Sequence, residues 1–179
     1  MYDYGIGTRP NQQKAFGHYM IAAKEGDANS EYHLGIFYSM GRGVKKDMGL
    51  AVKWLKRAAR HEDREAIDLL GLWYRMGRGL PRDSEKGFAL HLRAARMGCI
   101  DAQFSVGHCL SRGEGVRSDA KEAFKWYLKA AKRGDPDAAH NVAYYYENGR
   151  GVRKNAARAK FWRARSKYLS GSASTRRAG

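Results

Sequence analysis

Cysteine is nearly absent from this 179-residue chain: Cys99 and Cys109 are the two, too few for a disulfide framework. Proline occurs three times, so long helices are permitted. No run of about 18 apolar residues is present, which excludes a membrane-spanning helix. The start, MYDYGIGTRP, lacks a basic stretch followed by an apolar run. No signal peptide is therefore visible, and a cytoplasmic location is expected, with a processed or truncated exported protein left open. Acidic residues are scarce: 18 Asp and Glu stand against 34 Lys and Arg, a net charge of +16 that biases the chain towards acidic partners.

Apolar residues make up 43%, enough to build a core and to exclude wholesale disorder. The 21 glycines are many for a helical protein and must lie at turns. Their spacing shows that they do. Gly5-Ile6-Gly7, Gly41-Arg42-Gly43, Gly77-Arg78-Gly79, Gly113-Glu114-Gly115 and Gly149-Arg150-Gly151 recur every 36 residues. Val44, Leu80, Val116 or Val152 follows in the later four, then Asn11, Asp47, Asp83, Asp119 or Asn155 as an N-cap. Beyond the cap come Ala15, Ala51, Ala123 and Ala159, with Ala89 two positions late, and then double alanines such as Ala58-Ala59 and Ala130-Ala131. Trp54, Leu90, Trp126 and Trp162 share a large-residue column. A second turn repeats as Gly26-Asp27, Glu62-Asp63, Gly98-Cys99 and Gly134-Asp135. The helix after it carries Leu34-Gly35, Leu70-Gly71, Val106-Gly107 and Val142-Ala143, with Tyr38, Tyr74, Leu110 or Tyr146 one turn later.

Each unit is thus an antiparallel helix pair. First helices are expected over 28–40, 64–76, 100–112 and 136–148, and second helices over 12–25, 48–60, 84–97, 120–133 and 156–169. One pair cannot bury its apolar face alone, so stacked pairs form a single repeat domain over 1–169, all-α, a right-handed α/α superhelical solenoid. Its repeats are a partial first one at 1–26, then 27–62, 63–98, 99–134 and 135–169. The small polar segment 170–179 is expected to be a disordered basic tail. Tyr2 aligns with Tyr38, so the first repeat lacks its first helix. That would leave an apolar flank on which a homodimer could form.

The pattern Ala-x3-ψ-Gly-x2-Tyr-x2-Gly-x-Gly-Val-x2-Asp-x3-Ala-x2-Trp-x3-Ala-Ala-x2-Gly, fullest from Ala28 to Ala59 and from Ala102 to Gly134, resembles the Sel-one-like repeat family, a cousin of the tetratricopeptide repeat. Ala143 in place of the helix glycine, Ser166-Lys167 in place of the double alanine and His18 in place of the Trp depart from it. The resemblance implies a tetratricopeptide-like solenoid acting as a scaffold or adaptor for protein–protein interaction, with no reaction of its own. A cysteine-rich branch described as binding β-lactam-like ligands has cysteines paired across helices in every repeat. This chain lacks them, so that activity is not carried over.

In such solenoids the first helices line a concave face. Counting from the Leu-Gly column, the inward positions are Asn29, Tyr32, Ile36, Ser39 and Met40, then Glu65, Asp68, Leu72, Arg75 and Met76. Asp101, Phe104, His108, Ser111 and Arg112 follow, and then Asp137, His140, Tyr144, Glu147 and Asn148. Apolar anchors ringed by charge suit a protein or peptide partner laid along the face. Tyr32, Ile36, Leu72 and Phe104 can equally be read as completing the core. The groove candidates are therefore Tyr32, Ile36, Met40, Asp68, Leu72, Arg75, Phe104, His108, Arg112, His140 and Tyr144.

Positive charge gathers elsewhere. After Glu147 no acid remains, while Arg150, Arg153, Lys154, Arg158, Lys160, Arg163, Arg165, Lys167, Arg176 and Arg177 follow. Such a surface could take nucleic acid or anionic lipid. The cations spread over several sides of the last helix and no nucleic-acid motif accompanies them, which favours a solvated capping helix.

Catalysis finds no support. Cys99 and Cys109 lie about 15 Å apart along one helix, too far to pair. Cys109 shares a column with Phe37, Trp73 and Tyr145 and reads as core, whereas Cys99 sits at a cap. The six histidines show no metal-ligand spacing, and no cofactor is expected. A nucleophile elbow, a phosphate loop and a dinucleotide fingerprint are all missing. His108 and His140, offset by 32 residues, are expected to approach each other on the concave face, where imidazoles can hold a metal or anion.

Overall fold

The computed structural model describes residues 11–177, with side chains as far as Gly171. Among these residues are nine helices and no strand: α1 (Gln12–Lys24), α2 (Ala28–Met40), α3 (Met48–Arg60), α4 (Arg64–Met76), α5 (Ser84–Arg96), α6 (Ile100–Arg112), α7 (Ala120–Lys132), α8 (Pro136–Asn148) and α9 (Ala156–Arg177). The helices group into two compact units, 1–83 with α1 to α4 and 84–179 with α5 to α9. Within each unit every helix packs on the next in sequence. The chain is an all-α fold of antiparallel helix pairs. The turn at Gly5-Ile6-Gly7, the alignment of Tyr2 and residues 178 and 179 lie outside the described residues.

The helix ends follow from the residues placed there. Side chains of Asn11, Asp47, Asp119 and Asn155 accept from the amides of Lys14, Leu50, Glu122 and Arg158, each at 2.9 Å. Asp27, Asp63 and Asp135 do the same for the first helices. Each such cap contributes about 1 kcal/mol. Cys99 holds the cap position of α6 without a side-chain cap bond. At the other end Gly41, Gly77, Gly113 and Gly149 stop α2, α4, α6 and α8 in the left-handed conformation. The turn is then tied back: the amides of Asp47, Asp83, Asp119 and Asn155 donate to the carbonyls of Tyr38, Tyr74, Leu110 and Tyr146 at 2.8–2.9 Å.

The second glycine of the turn has a different task. A Cβ on Gly43 would lie 2.5 Å from the Gln12 carbonyl carbon, one on Gly115 2.0 Å from the Ser84 oxygen, and one on Gly151 2.4 Å from the Ala120 carbonyl carbon. These three turns therefore rest backbone to backbone on the start of the preceding second helix, whereas Gly79 faces the Met48 side chain, whose Cε would lie 3.1 Å from a Cβ there. The helix glycines permit another close approach. A Cβ on Gly35 would meet Leu55 Cγ at 2.6 Å, and one on Gly107 would meet Tyr127 Cδ1 at 2.8 Å. Leu55, His91 and Tyr127, which share one column, are enclosed in α3, α5 and α7.

This shifts two expectations, the first by one position and the second by two. Trp54, Leu90 and Trp126 are half-buried rather than central, and only Trp162 of that column is enclosed. Trp54 and Trp126 instead carry Arg57 and Lys129 over their rings, at 5.4 and 5.1 Å. In α5 the small buried position belongs to Gly87, while Ala89 is exposed. Where Ala143 replaces the helix glycine, the facing column holds Arg163, which is exposed and paired with Glu147 instead of packed. The last helix continues to Arg177, past the expected end at 169, so the stretch expected as a tail is helical that far. No proline interrupts it, and Ser, Ala, Thr and Arg tolerate helix.

Gly151→Ala should lower stability by at least about 2 kcal/mol, since a left-handed non-glycine residue costs about 1–2 kcal/mol before any clash. Gly17, inside α1 with nothing near its absent side chain, gives the opposite sign. Gly17→Ala should gain about 0.5–1 kcal/mol in urea denaturation.

Candidate functional site

In the first unit the groove candidates line α2 and α4. Tyr32, Ile36, Asp68, Leu72 and Arg75 are half-buried, and Met40 and Met76 are the most open, at 55% and 63% exposure. Two methionines at equivalent helix ends give an adaptable apolar rim. Ser39 does not face out: it is buried, its hydroxyl donating to the Ile36 carbonyl at 2.9 Å.

Glu31 is also enclosed, with no exposed surface. Its column is otherwise Ile67, Gln103 and Ala139, all buried. A carboxylate there must be compensated. Arg57 Nε lies 2.5 Å from Oε1 and His61 Nδ1 3.0 Å from Oε2. Arg57 also donates through Nη2 to the Ala23 carbonyl at 3.1 Å. One buried acid thus couples α1, α2 and α3. Sequence reading did not single out Glu31; the signal available was its column, which elsewhere holds Ile67, Gln103 and Ala139.

In the second unit several candidates converge. His108, Ser111 and Arg112 of α6, Tyr127 of α7, His140, Asn141, Tyr144 and Tyr145 of α8, and Arg150 beyond it line a cleft of about 250 Å³. His140 and Arg112 are exposed, Tyr144 is 45% exposed and His108 is half-buried. Phe104 packs against Tyr127 and His108, with ring centres 5.6 and 6.5 Å apart. Arg150 Nη2 donates to the Ser111 carbonyl at 2.8 Å, and its guanidinium lies 5.4 Å from the centre of the Tyr145 ring. Burial pushes the Tyr127 phenol up to about 12; Tyr145 adds to this, and a hydrogen bond with Ser111 and the charges of Arg112 and Arg150 oppose it. The Tyr145 hydroxyl is buried with no hydrogen-bond partner among the described residues. Sequence reading missed Tyr127 and Tyr145, which occupy core columns, and Arg150, which stands at a turn position shared with Arg42 and Arg78.

The basic candidates Arg153, Lys154, Arg158, Lys160, Arg163 and Arg165 are all exposed. They do not form one stripe. Arg158 donates to the Tyr146 hydroxyl at 2.9 Å and lies over its ring, and Arg163 pairs with Glu147. Lys154, Lys160 and Arg163 border a hollow of about 300 Å³ with Glu147, Ala156 and Ala159. No helix among the described residues is long and apolar enough to cross a membrane.

Sel1 repeats match residues 1–27, 28–63, 64–99, 100–135 and 136–163. The chain belongs to the Sel1 repeat family. Members of this family are generally non-catalytic scaffolds for protein–protein interaction. Among solved structures, this Sel1 repeat chain is similar to a Sel1 repeat protein from Oxalobacter formigenes, 31% identical with a TM-score of 0.83 over 94% of this chain and 69% of that one. It is also similar to a protective antigen of uropathogenic Escherichia coli with an SLR fold, 29% identical with a TM-score of 0.86 over 93% of this chain and 36% of that one. A local match, 46% identical over 43 residues, joins it to the DAP3-binding cell death enhancer 1 of Rattus norvegicus, covering 24% of this chain and 8% of that protein.

Glu31→Ala should destabilise by about 2–4 kcal/mol, since it leaves Arg57 and the buried pocket uncompensated. A urea midpoint unchanged from the parent would show that the cluster contributes nothing. Tyr127 carries a pH signature. Its folded value lies above the ordinary 10.0, so its contribution is intact below about pH 10 and is lost as the pH rises towards about 12. Denaturation at pH 8 and 11 should show this alkaline loss, and Tyr127→Phe should reduce it.

Proposed function

We propose that this chain is a non-catalytic adaptor that captures a protein or peptide partner on the first-helix faces of its repeats. The observation that carries this reading is the cleft in the second unit. Four residues picked from sequence as groove-facing, His108, Arg112, His140 and Tyr144, line one hollow there. Cationic and aromatic groups side by side suit an acidic or aromatic side chain of an extended or helical segment. In the first unit, Tyr32, Ile36, Met40, Asp68, Leu72 and Arg75 would give a more apolar contact of the same kind. The family's general role agrees with this reading, and the absence of an assembled nucleophile and base from the sequence motifs is consistent with it.

The test begins with affinity capture under nuclease treatment and identification of the partner. Binding isotherms then compare the parent with the double variant His140→Ala, Tyr144→Ala. A loss of affinity of at least tenfold with helicity retained is expected, because central aromatic contacts commonly carry most of the binding energy. Equal affinity would remove the cleft from the reading.

A second reading rests on the exposed cations of α9 and the turn before it, free of any acid after Glu147. On this reading that surface binds nucleic acid or anionic lipid. Its affinity should then fall steeply between about 50 and 200 mM salt and weaken further in Lys160→Glu, Arg165→Glu. Salt-independent binding would exclude it.

A further inference from the structure

The fourth Gly-x-Gly turn, Gly113-Glu114-Gly115, departs from its neighbours at three places together. In the third and fifth turns the middle residue is Arg78 or Arg150, with its guanidinium carbon 5.4 Å from the ring centre of Trp73 or Tyr145. In the fourth turn those same two columns hold Glu114 and Cys109. The column just before the ring is Ile36, Leu72 or Tyr144 elsewhere, and here it is His108. A cation lying on an aromatic ring has thus been exchanged for a carboxylate, a thiol and an imidazole.

The structure brings these three groups together. One ligand atom from each of His108, Cys109 and Glu114 lies within 4.8 Å of the other two, and His108 Nδ1 is 4.0 Å from Glu114 Oε2. The placement is graded. Cys109 is fully buried, while the His108 and Glu114 side chains are 30% and 33% exposed. The thiol therefore forms the floor, and the other two groups form a rim open to water. The turn is anchored to the same residue: the amides of Gly113 and Glu114 both donate to the Cys109 carbonyl, at 2.8 and 3.0 Å. Glu114 is held close to Cys109 by backbone bonds that do not involve its carboxylate.

We propose that His108, Cys109 and Glu114 form a binding site for a divalent cation of the Zn²⁺ type. Sulfur, nitrogen and oxygen donors in one cluster suit a borderline metal and fit neither Ca²⁺ nor Mg²⁺, which take oxygen ligands. Bond lengths of about 2.0–2.3 Å require the three donor atoms to draw in somewhat, a movement that rotation of the Glu114 and His108 side chains supplies. Binding replaces the thiol proton with the metal, so one proton is released for each ion bound at a pH where Cys109 is protonated. Three protein donors leave a fourth position for water or for a group on a partner. The site stands on its own donors and does not require the cleft to bind a partner, although His108 also lines that cleft.

The full chain, stripped of metal with a chelator, should be titrated with Co²⁺ and followed by absorption. Saturation at one equivalent is expected, with a thiolate-to-cobalt charge-transfer band in the near ultraviolet and displacement by Zn²⁺. Cys109→Ser should abolish the band. Glu114→Gln, a change on the exposed rim that spares the core, should weaken binding at least tenfold with an unchanged circular dichroism spectrum. Cys99→Ser should behave like the parent. The proposal is overturned if no saturable band appears, if the band follows Cys99 instead, or if Glu114→Gln binds Co²⁺ as tightly as the parent.

Discussion

The repeat depends on one steric constraint: at Gly43, Gly115 and Gly151 the backbone of a turn rests on the backbone that opens the preceding second helix, leaving no room for a side chain. Everything nearby serves that approach. The first glycine of each turn ends one helix, the Asp or Asn cap starts the next, and the cap amide binds back to a carbonyl in the last turn of the first helix. The spacing of these three tasks fixes the length of the connection. Helix glycines at Gly35 and Gly107 then let Leu55 and Tyr127 close the space between paired helices. Hydrophobic burial fills the interior, but the glycines determine how near the elements can come.

Most of this framework was legible because its determinants are local. Gly, Asp and Asn act on backbone within a few residues of themselves, so their columns gave the eight internal helices to within a residue. What the sequence blurred was depth. Trp54 and Leu55 are neighbours, and only the glycine of the facing helix decides that Leu55 lies at the centre. The burial of Glu31 was not legible because its partners Arg57 and His61, at the end of α3, lie far along the chain. Tyr145 was read as core and Arg150 as a turn cation, Tyr127 was not singled out, and the cleft shows that a residue can complete a core and still line a hollow. Whether a long polar end stays helical, as α9 does to Arg177, depends on a weak sum of propensities that no single residue signals.

The two ends of the charge problem now separate. Much of the positive charge has structural work. Arg57 neutralises a buried acid, Arg133 donates to the Gly98 carbonyl, Arg150 bridges to Ser111, and Arg158 lies on Tyr146. A guanidinium serves this purpose well because its planar fork can reach a carbonyl in a neighbouring pair while its face covers a ring. The fourth repeat is the exception, where the turn carries Glu114 and the ring is replaced by Cys109. Variation laid over a constant frame therefore points to local chemistry more clearly than composition does.

The pattern of packing also bears on how the chain acquires its structure. Within each unit every helix packs on its sequence neighbour, and the hydrogen bond from Arg150 to Ser111 spans only 39 residues. Chain closures this short cost little entropy and place such folds at the fast end of the kinetic range. A helix pair needs only the pair beside it, so a nascent chain can consolidate its early pairs while later ones are still being synthesised.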